Sequence, residues 1–391
     1  MWDVDGNEYI DFNMCFGALN VGHAHPLLIE EMKAQMEKGM IYTMPHEETA
    51  LLAQEITRRF PVDMVRFTNS GTESTMHAIR LARGCTGKDK IIKMEGCYHG
   101  GHDYVLVSVY PPEDAMGPSE LPTAVPAGLG IPEGTFKNTI VVPYNNIQAL
   151  QKVIDKHRDE IAAVIMEPVP MNMCIVSPKD SFLEKIRRIT QENNILLIFD
   201  EVKSGARVTP GGVCEYFNIK PDLVCLGKSI GGGLPLGAFG GRREIMSKLT
   251  DSSVLHSGTY SSNPLAIKAG LVTLTKILTP EAYDYLNKIG DMLAEGYRRV
   301  ITEFDFPAHV KTIGPIGMIV FSRDEVENYR GFMKVSEKLW YKYWVCMLNN
   351  GIIPCHYGKD GHWTLAVQHT EEDIENHIKI FRRVAPSLST E

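Results

Sequence analysis

The 391-residue chain has no apolar run near the roughly 18 residues of a membrane span, so none is expected. Its first residues, MWDVDGNEYIDF, have no basic stretch and no apolar core, so they do not read as a secretory leader. Lys and Arg are scattered and the net charge is −8. That argues against nucleic acid or an anionic membrane as partner, since both need a basic patch. None of the eight cysteines stands in a CxxC pair, and several lie in apolar runs. They read as reduced thiols of a cytoplasmic protein rather than a disulfide framework or zinc site. No GxGxxG follows a strand and no GxSxG elbow occurs, so neither a nicotinamide site nor a serine hydrolase is expected. GCTGKDK (84–90) is not an NTPase phosphate loop. Its first glycine is too close to Gly87-Lys88, and Asp89 stands where magnesium needs Ser or Thr. His23 and His25, and His99, His102 and Asp103, have no further spaced ligands, so no metal site is expected.

What is present is an α/β pattern. Residues 3–12 read as a short hairpin turning at Asp5-Gly6-Asn7. Strands are expected at 65–71, 90–96, 161–168, 194–201 and 222–228, and helices at 27–38, 48–60, 73–84, 148–158 and 180–193. Five- and six-residue apolar runs alternating with helices indicate a parallel sheet covered on both faces. Residues 263–300 look mostly helical. From about 305, one strand (HVKTIGPIGMIVFS), a helix (335–348) and a last helix (371–381) suggest a second, α+β domain.

Four of the expected strands end in polar residues: Ser70-Gly71-Thr72, Glu167, Asp200-Glu201 and Lys228. Ligands of open parallel sheets bind beyond the carboxyl ends of the strands, so these groups should converge on one crevice. In NILLIFDE, five apolar residues lead straight into Asp200, and a carboxylate there needs a cationic or donor partner. A strand-end salt bridge or helix cap would serve. So would the protonated nitrogen of a pyridine ring, and that reading also accounts for Lys228, a lysine where a buried strand meets a glycine-rich loop. Such an amine can hold pyridoxal phosphate as a Schiff base and, once freed, move a proton. NSGTES (69–74) joins a strand end to a helix start, which suits either a helix cap or a phosphate. Gly258-Thr259 precedes a second helical segment in the same way. Tyr98 and Val202 could cover the two faces of a ring.

The motifs DVDGNEYIDF, GHAHP, NSGTEST, YHG, MEPV, FDEV, PGGVCEYF, PDLVCLGKSIGGGLPLGAFGG and HSGTYSSNP together resemble the class III, fold-type I aminotransferases that use pyridoxal 5′-phosphate. The branch most resembled is that of glutamate-1-semialdehyde aminomutase and related transaminases. The resemblance runs from residue 2 to about 270, and more faintly to HTEEDI (369–374).

This resemblance implies a large domain at 41–285 holding a mixed, mostly parallel seven-stranded sheet covered by helices. A smaller α+β domain would be built from residues 1–40 and 286–391. It implies that Lys228 forms the Schiff base and Asp200 pairs the ring nitrogen. Ser70, Gly71 and Thr72 would hold the phosphate, with Thr259 supplied across a homodimer interface. Tyr98 and Val202 would sandwich the ring. Asn172 occupies the position of a family asparagine near the cofactor or substrate amine. Glu167 would order the site from behind, and His99 the Tyr98 loop.

Three features depart from the aminomutase pattern: Phe16 in place of tryptophan, Ala206 in FDEVKSGARV, and the loop 356–370 without an acidic stretch. Relatives also usually carry several dozen residues before the DVDG hairpin. On these grounds a ping-pong transaminase, taking an amine donor and a carbonyl acceptor, is favoured over an aminomutase that moves the amine within one molecule. A cofactor-binding scaffold without turnover is disfavoured by the intact Lys228, Asp200 and phosphate loop. Replacing Lys228 with alanine is expected to abolish the yellow colour of the cofactor-loaded protein and nearly all turnover. An unchanged visible spectrum in that variant would remove the assignment of the lysine.

Overall fold

The computed structural model describes residues 1–388. Strand β1 (Ile10–Asp11) comes first. Seven strands follow: β2 (Met64–Thr68), β3 (Lys90–Met94), β4 (Thr139–Val142), β5 (Ile161–Met166), β6 (Leu196–Asp200), β7 (Leu223–Leu226) and β8 (Gly237–Gly241). They form one sheet in the order β2-β8-β7-β6-β5-β3-β4. The pairs β3·β4, β3·β5, β5·β6 and β6·β7 are parallel, while β8 is antiparallel to both β2 and β7. The sheet is therefore mixed, and only β8 runs against the rest.

Alternation along the strands explains the layering. In β5, Val164 and Met166 face one core while Ala163 and Ile165 face another. The helix Gly71–Thr86 buries Ala78, Ile79, Leu81 and Ala82 against the second face. A sheet buried on both sides has no solvent face to carry polar side chains, which is why its strands read as unbroken apolar runs. Local chemistry sets that helix's ends. Ser70 Oγ accepts the Glu73 N–H at 3.2 Å, and Glu73 Oε2 accepts the Asn69 N–H at 2.8 Å, so two otherwise orphaned donors are satisfied. Gly87, left-handed at φ +68°, closes the other end and donates its N–H to the Arg83 carbonyl.

Beyond the large sheet lie β9 (His309–Ile313), β10 (Ile316–Val320), β11 (Ile352–Ile353) and β12 (Trp363–Thr364). β10 is antiparallel to both β9 and β12. β1 and β11 pair in parallel, joining the two ends of the chain.

Several expectations change. The segment HVKTIGPIGMIVFS is two strands, because Gly314 turns at φ +53° and Pro315 has no N–H to continue a ladder. The N-terminal hairpin reduces to a single bridge between Trp2 and Glu8, followed by β1. β8, with the composition of a loop, is a central strand. Its glycines permit close approach: a Cβ at Gly240 would lie 2.7 Å from the Met64 carbonyl oxygen. β4, four β-branched residues that the expectations above omit, adds an edge strand. Among the described residues, no helix is long and apolar enough to cross a membrane.

Ile165 is fully buried. Ile165→Ala should lower stability by about 2–5 kcal/mol, seen as a lower urea midpoint at unchanged slope. Leu129→Ala, at a fully exposed position, should shift it by less than about 0.5 kcal/mol.

Candidate active site

At the carboxyl ends of β2, β3, β5, β6 and β7 lies a cavity of about 290 Å³. It gathers the residues that the sequence placed at strand ends. Ser70, Gly71 and Thr72 enter from the helix after β2, and Tyr98 and His99 from the loop after β3. Glu167 and Asn172 come from the segment after β5, Asp200 and Val202 from β6 and its following turn, and Lys228 from the end of β7. Thr259 does not join them. It is exposed on the loop before the helix Pro264–Val272, outside the cavity of its own chain.

Asp200 is almost fully buried. Its Oδ2 lies 2.8 Å from His99 Nδ1, and its Oδ1 accepts the Val202 N–H at 3.0 Å. His99 thus orders the carboxylate as well as its own loop, which the sequence did not indicate. Its other ring nitrogen, Nε2, is buried without a partner, as is Glu167 Oε1. Glu167 Oε2 accepts the Met171 N–H at 3.2 Å, and burial raises the carboxyl's pKa against the opposing pull of His99. The neighbouring Glu201 turns away from the cavity. It accepts from the Ser204 hydroxyl and from the N–H groups of Val213 and Cys214, pinning the chain that follows.

Lys228 has no hydrogen-bond or ion-pair partner among the described residues. Burial lowers its pKa, partly offset by Asp200 and Glu167. A lysine with less hold on its proton is a better nucleophile and base at neutral pH. Its backbone is left-handed at φ +45°, a conformation that costs a non-glycine residue about 1–2 kcal/mol. Strain of this kind concentrates at functional sites.

The helix after β2 supplies the complementary end. The N–H groups of Gly71 and Thr72 take part in no hydrogen bond among the described residues. With the Ser70 and Thr72 hydroxyls they form an anion-ready helix start. A Cβ at Gly71 would lie 2.6 Å from Val202 Cγ1, so only glycine lets this turn sit against that side chain.

Lys203, in the turn after β6, also lines the cavity, though the sequence reading left it out. The signal was there: a second lysine three residues past Asp200, in FDEVK. Of the three departures, Ala206 is buried and does not line the cavity. Phe16 is half exposed, with its ring 5.1 Å from that of His356. The 356–370 loop reaches the cavity's edge through His362, whose Nε2 lies 3.4 Å from Lys203 Nζ.

A family model, that of the class-III aminotransferases, matches residues 1–384. The chain belongs to that family. It is 41% identical over 390 residues to a glutamate-1-semialdehyde 2,1-aminomutase of Methanocaldococcus jannaschii, covering 99% of this chain and 89% of that one. The crystal structure of an omega-transaminase from Sphaerobacter thermophilus superposes with a TM-score of 0.93 at 34% identity, over 100% of this chain and 89% of the other. A transaminase solved with PLP bound gives a TM-score of 0.88 at 30% identity, over 99% and 88%.

The cavity's chemistry fits pyridoxal phosphate. It offers unpaired amides at a helix start, a buried carboxylate, an unpartnered lysine and two buried polar atoms without partners. Among the described residues, no cluster of His, Cys, Asp or Glu could hold a metal.

Burial, with Lys228 second, lowers the Lys203 pKa from 10.5 to about 7. Between those values the unfolded chain holds a proton that the folded chain does not, so this group makes stability rise with pH across the window. Replacing Lys203 with methionine should therefore raise the apoprotein's melting temperature relative to wild type most near pH 7. The advantage should shrink toward about pH 10; a constant difference would show that the amine titrates normally.

Proposed function

We propose that this enzyme moves an amino group between neighbouring carbons of one small molecule, as a 2,1-aminomutase does, with pyridoxal 5′-phosphate as cofactor and glutamate-1-semialdehyde as substrate. The observation that carries the amine chemistry is the meeting of Lys228, the Asp200–His99 pair and an open helix start in one cavity. The intramolecular form rests on the 41% identity to a named aminomutase along nearly the whole chain. It reverses the preference drawn from Phe16, Ala206 and the late loop, of which Ala206 does not line the cavity.

When bound, pyridoxal phosphate supplies an electron sink that makes a hydrogen on the amine-bearing carbon removable. The chain's own groups do the rest. Ser70, Gly71 and Thr72 would hold the phosphate. Asp200, fixed by His99 and the Val202 N–H, would keep a proton on the ring nitrogen. Val202 and Tyr98 would bound the ring's two faces. Lys228 would deliver a proton to the carbonyl carbon as that carbon takes nitrogen from the amine form of the cofactor, and would remove one from the amine-bearing carbon as its nitrogen returns to the cofactor, so amine and carbonyl exchange places without a co-substrate. Leu234 and Leu236 exclude water from that transfer.

We also propose that the active unit is a homodimer. Met40, Ile41, Tyr42, Met44, Leu255 and Tyr260 are large, apolar and exposed, and the last two flank Thr259 on its loop. A second copy covering them would receive Thr259 at its own cavity.

Transamination between two molecules is the second reading, favoured by the 34% identity and full-length superposition on an omega-transaminase. Incubating the cofactor-loaded protein with glutamate-1-semialdehyde alone should yield 5-amino-4-oxopentanoate. Conversion that requires an added keto acid would replace the first reading with the second.

A further inference from the structure

Lys203 has no part in the chemistry above, yet its amine lies in the cavity wall. Its Nζ donates to Asn172 Oδ1 and lies 3.4 Å from His362 Nε2. His362 Nδ1 lies 3.2 Å from the Asp360 carbonyl oxygen, an acceptor, so Nδ1 carries the ring proton and Nε2 faces Lys203 with a lone pair. Burial holds this histidine neutral. Both neighbours of the amine are therefore neutral acceptors.

No carboxylate pairs with Lys203 among the described residues. Asp360 is engaged by Tyr110 OH at 3.1 Å and His356 Nε2 at 3.2 Å, and Glu167 takes the Met171 N–H on Oε2 with its Oε1 left unpartnered, so both carboxylates attract the amine through space without a hydrogen bond to it. An ammonium carries three N–H groups, and two neutral acceptors leave one of them for the cavity. Holding such a group partly out of water with no carboxylate in hydrogen-bond contact is costly, and an arriving anion would offset the cost.

We propose that Lys203 recognises the substrate's carboxylate, with Asn172 and His362 aiming its Nζ into the cavity. The assignment rests on the amine-shift reading for the identity of the substrate. It adds the group that selects a carboxylate-bearing molecule over a neutral amine of the same length. A carboxylate beside the lysine also restores the charged form that burial disfavours. Asn172 is then a positioning residue, acting through Lys203.

Butanoate and butanamide, unreactive and nearly equal in size, separate the possibilities. Each is titrated by calorimetry into the cofactor-loaded wild type, Lys203→Met, Lys203→Gln and Lys203→Arg. The wild type should bind butanoate more tightly than butanamide. The methionine and glutamine variants should lose about tenfold to a hundredfold in butanoate affinity, the range of one charge-assisted hydrogen bond, with butanamide unchanged. The arginine variant should recover part of the loss. Equal affinity of the wild type for both probes overturns the proposal and needs no variant to be seen. Equal loss for both probes in the variants also overturns it, and assigns the lysine to supporting Asn172. These readouts need no turnover. An enzyme that discriminates the probes yet does not convert glutamate-1-semialdehyde counts against the amine-shift reading alone.

Discussion

A carboxylate kept out of water at the end of a central strand is the constraint around which this molecule is organised. Asp200 sits where β6 leaves the sheet, with apolar residues before it and little solvent around it. Such a group is tolerable only when its oxygens are satisfied. His99 and the Val202 amide meet that need, and each brings a segment with it. The histidine draws the loop after β3 over the crevice. The amide fixes the turn that places Val202 against Gly71 and Lys203 beside Asn172. The helix start after β2 and the Asp200 end of the cavity are thereby set at one spacing.

The crevice also sorts charge by burial. Glu201 is as buried as Asp200, but three donors satisfy it and none of its environment faces the cavity. Lys228 and Lys203 share the cavity wall with no acid paired to either. Burial lowers the hold of both amines on a proton, and for Lys203 the nearby Lys228 lowers it further.

Much of this was legible in the residues. The apolar runs of β5, β6 and β7 fixed both the strands and their burial on two faces, because a strand covered on both sides has no polar alternation. The polar residue ending each run then located the crevice. Legibility failed where space rather than hydrophobicity decides. GAFGG forms β8 because only glycine fits between Met64, Asp222 and their neighbours, and composition alone reads as a loop. Gly314-Pro315 splits one apolar stretch in two. The His99–Asp200 bond joins residues far apart in the chain, with no local signature. Lys203 stood in plain view within FDEVK but gained meaning only once Asn172 and His362 were brought to it.

The pairing of β1 with β11 has a consequence for biosynthesis. Ile10 finds its partner, Ile352, only after every strand of the large sheet has been made. The large sheet is complete by Gly241 and can assemble earlier, whereas β1 must wait, unpaired, for β11. A message cut short before β11 would yield a chain whose β1 never finds its partner strand.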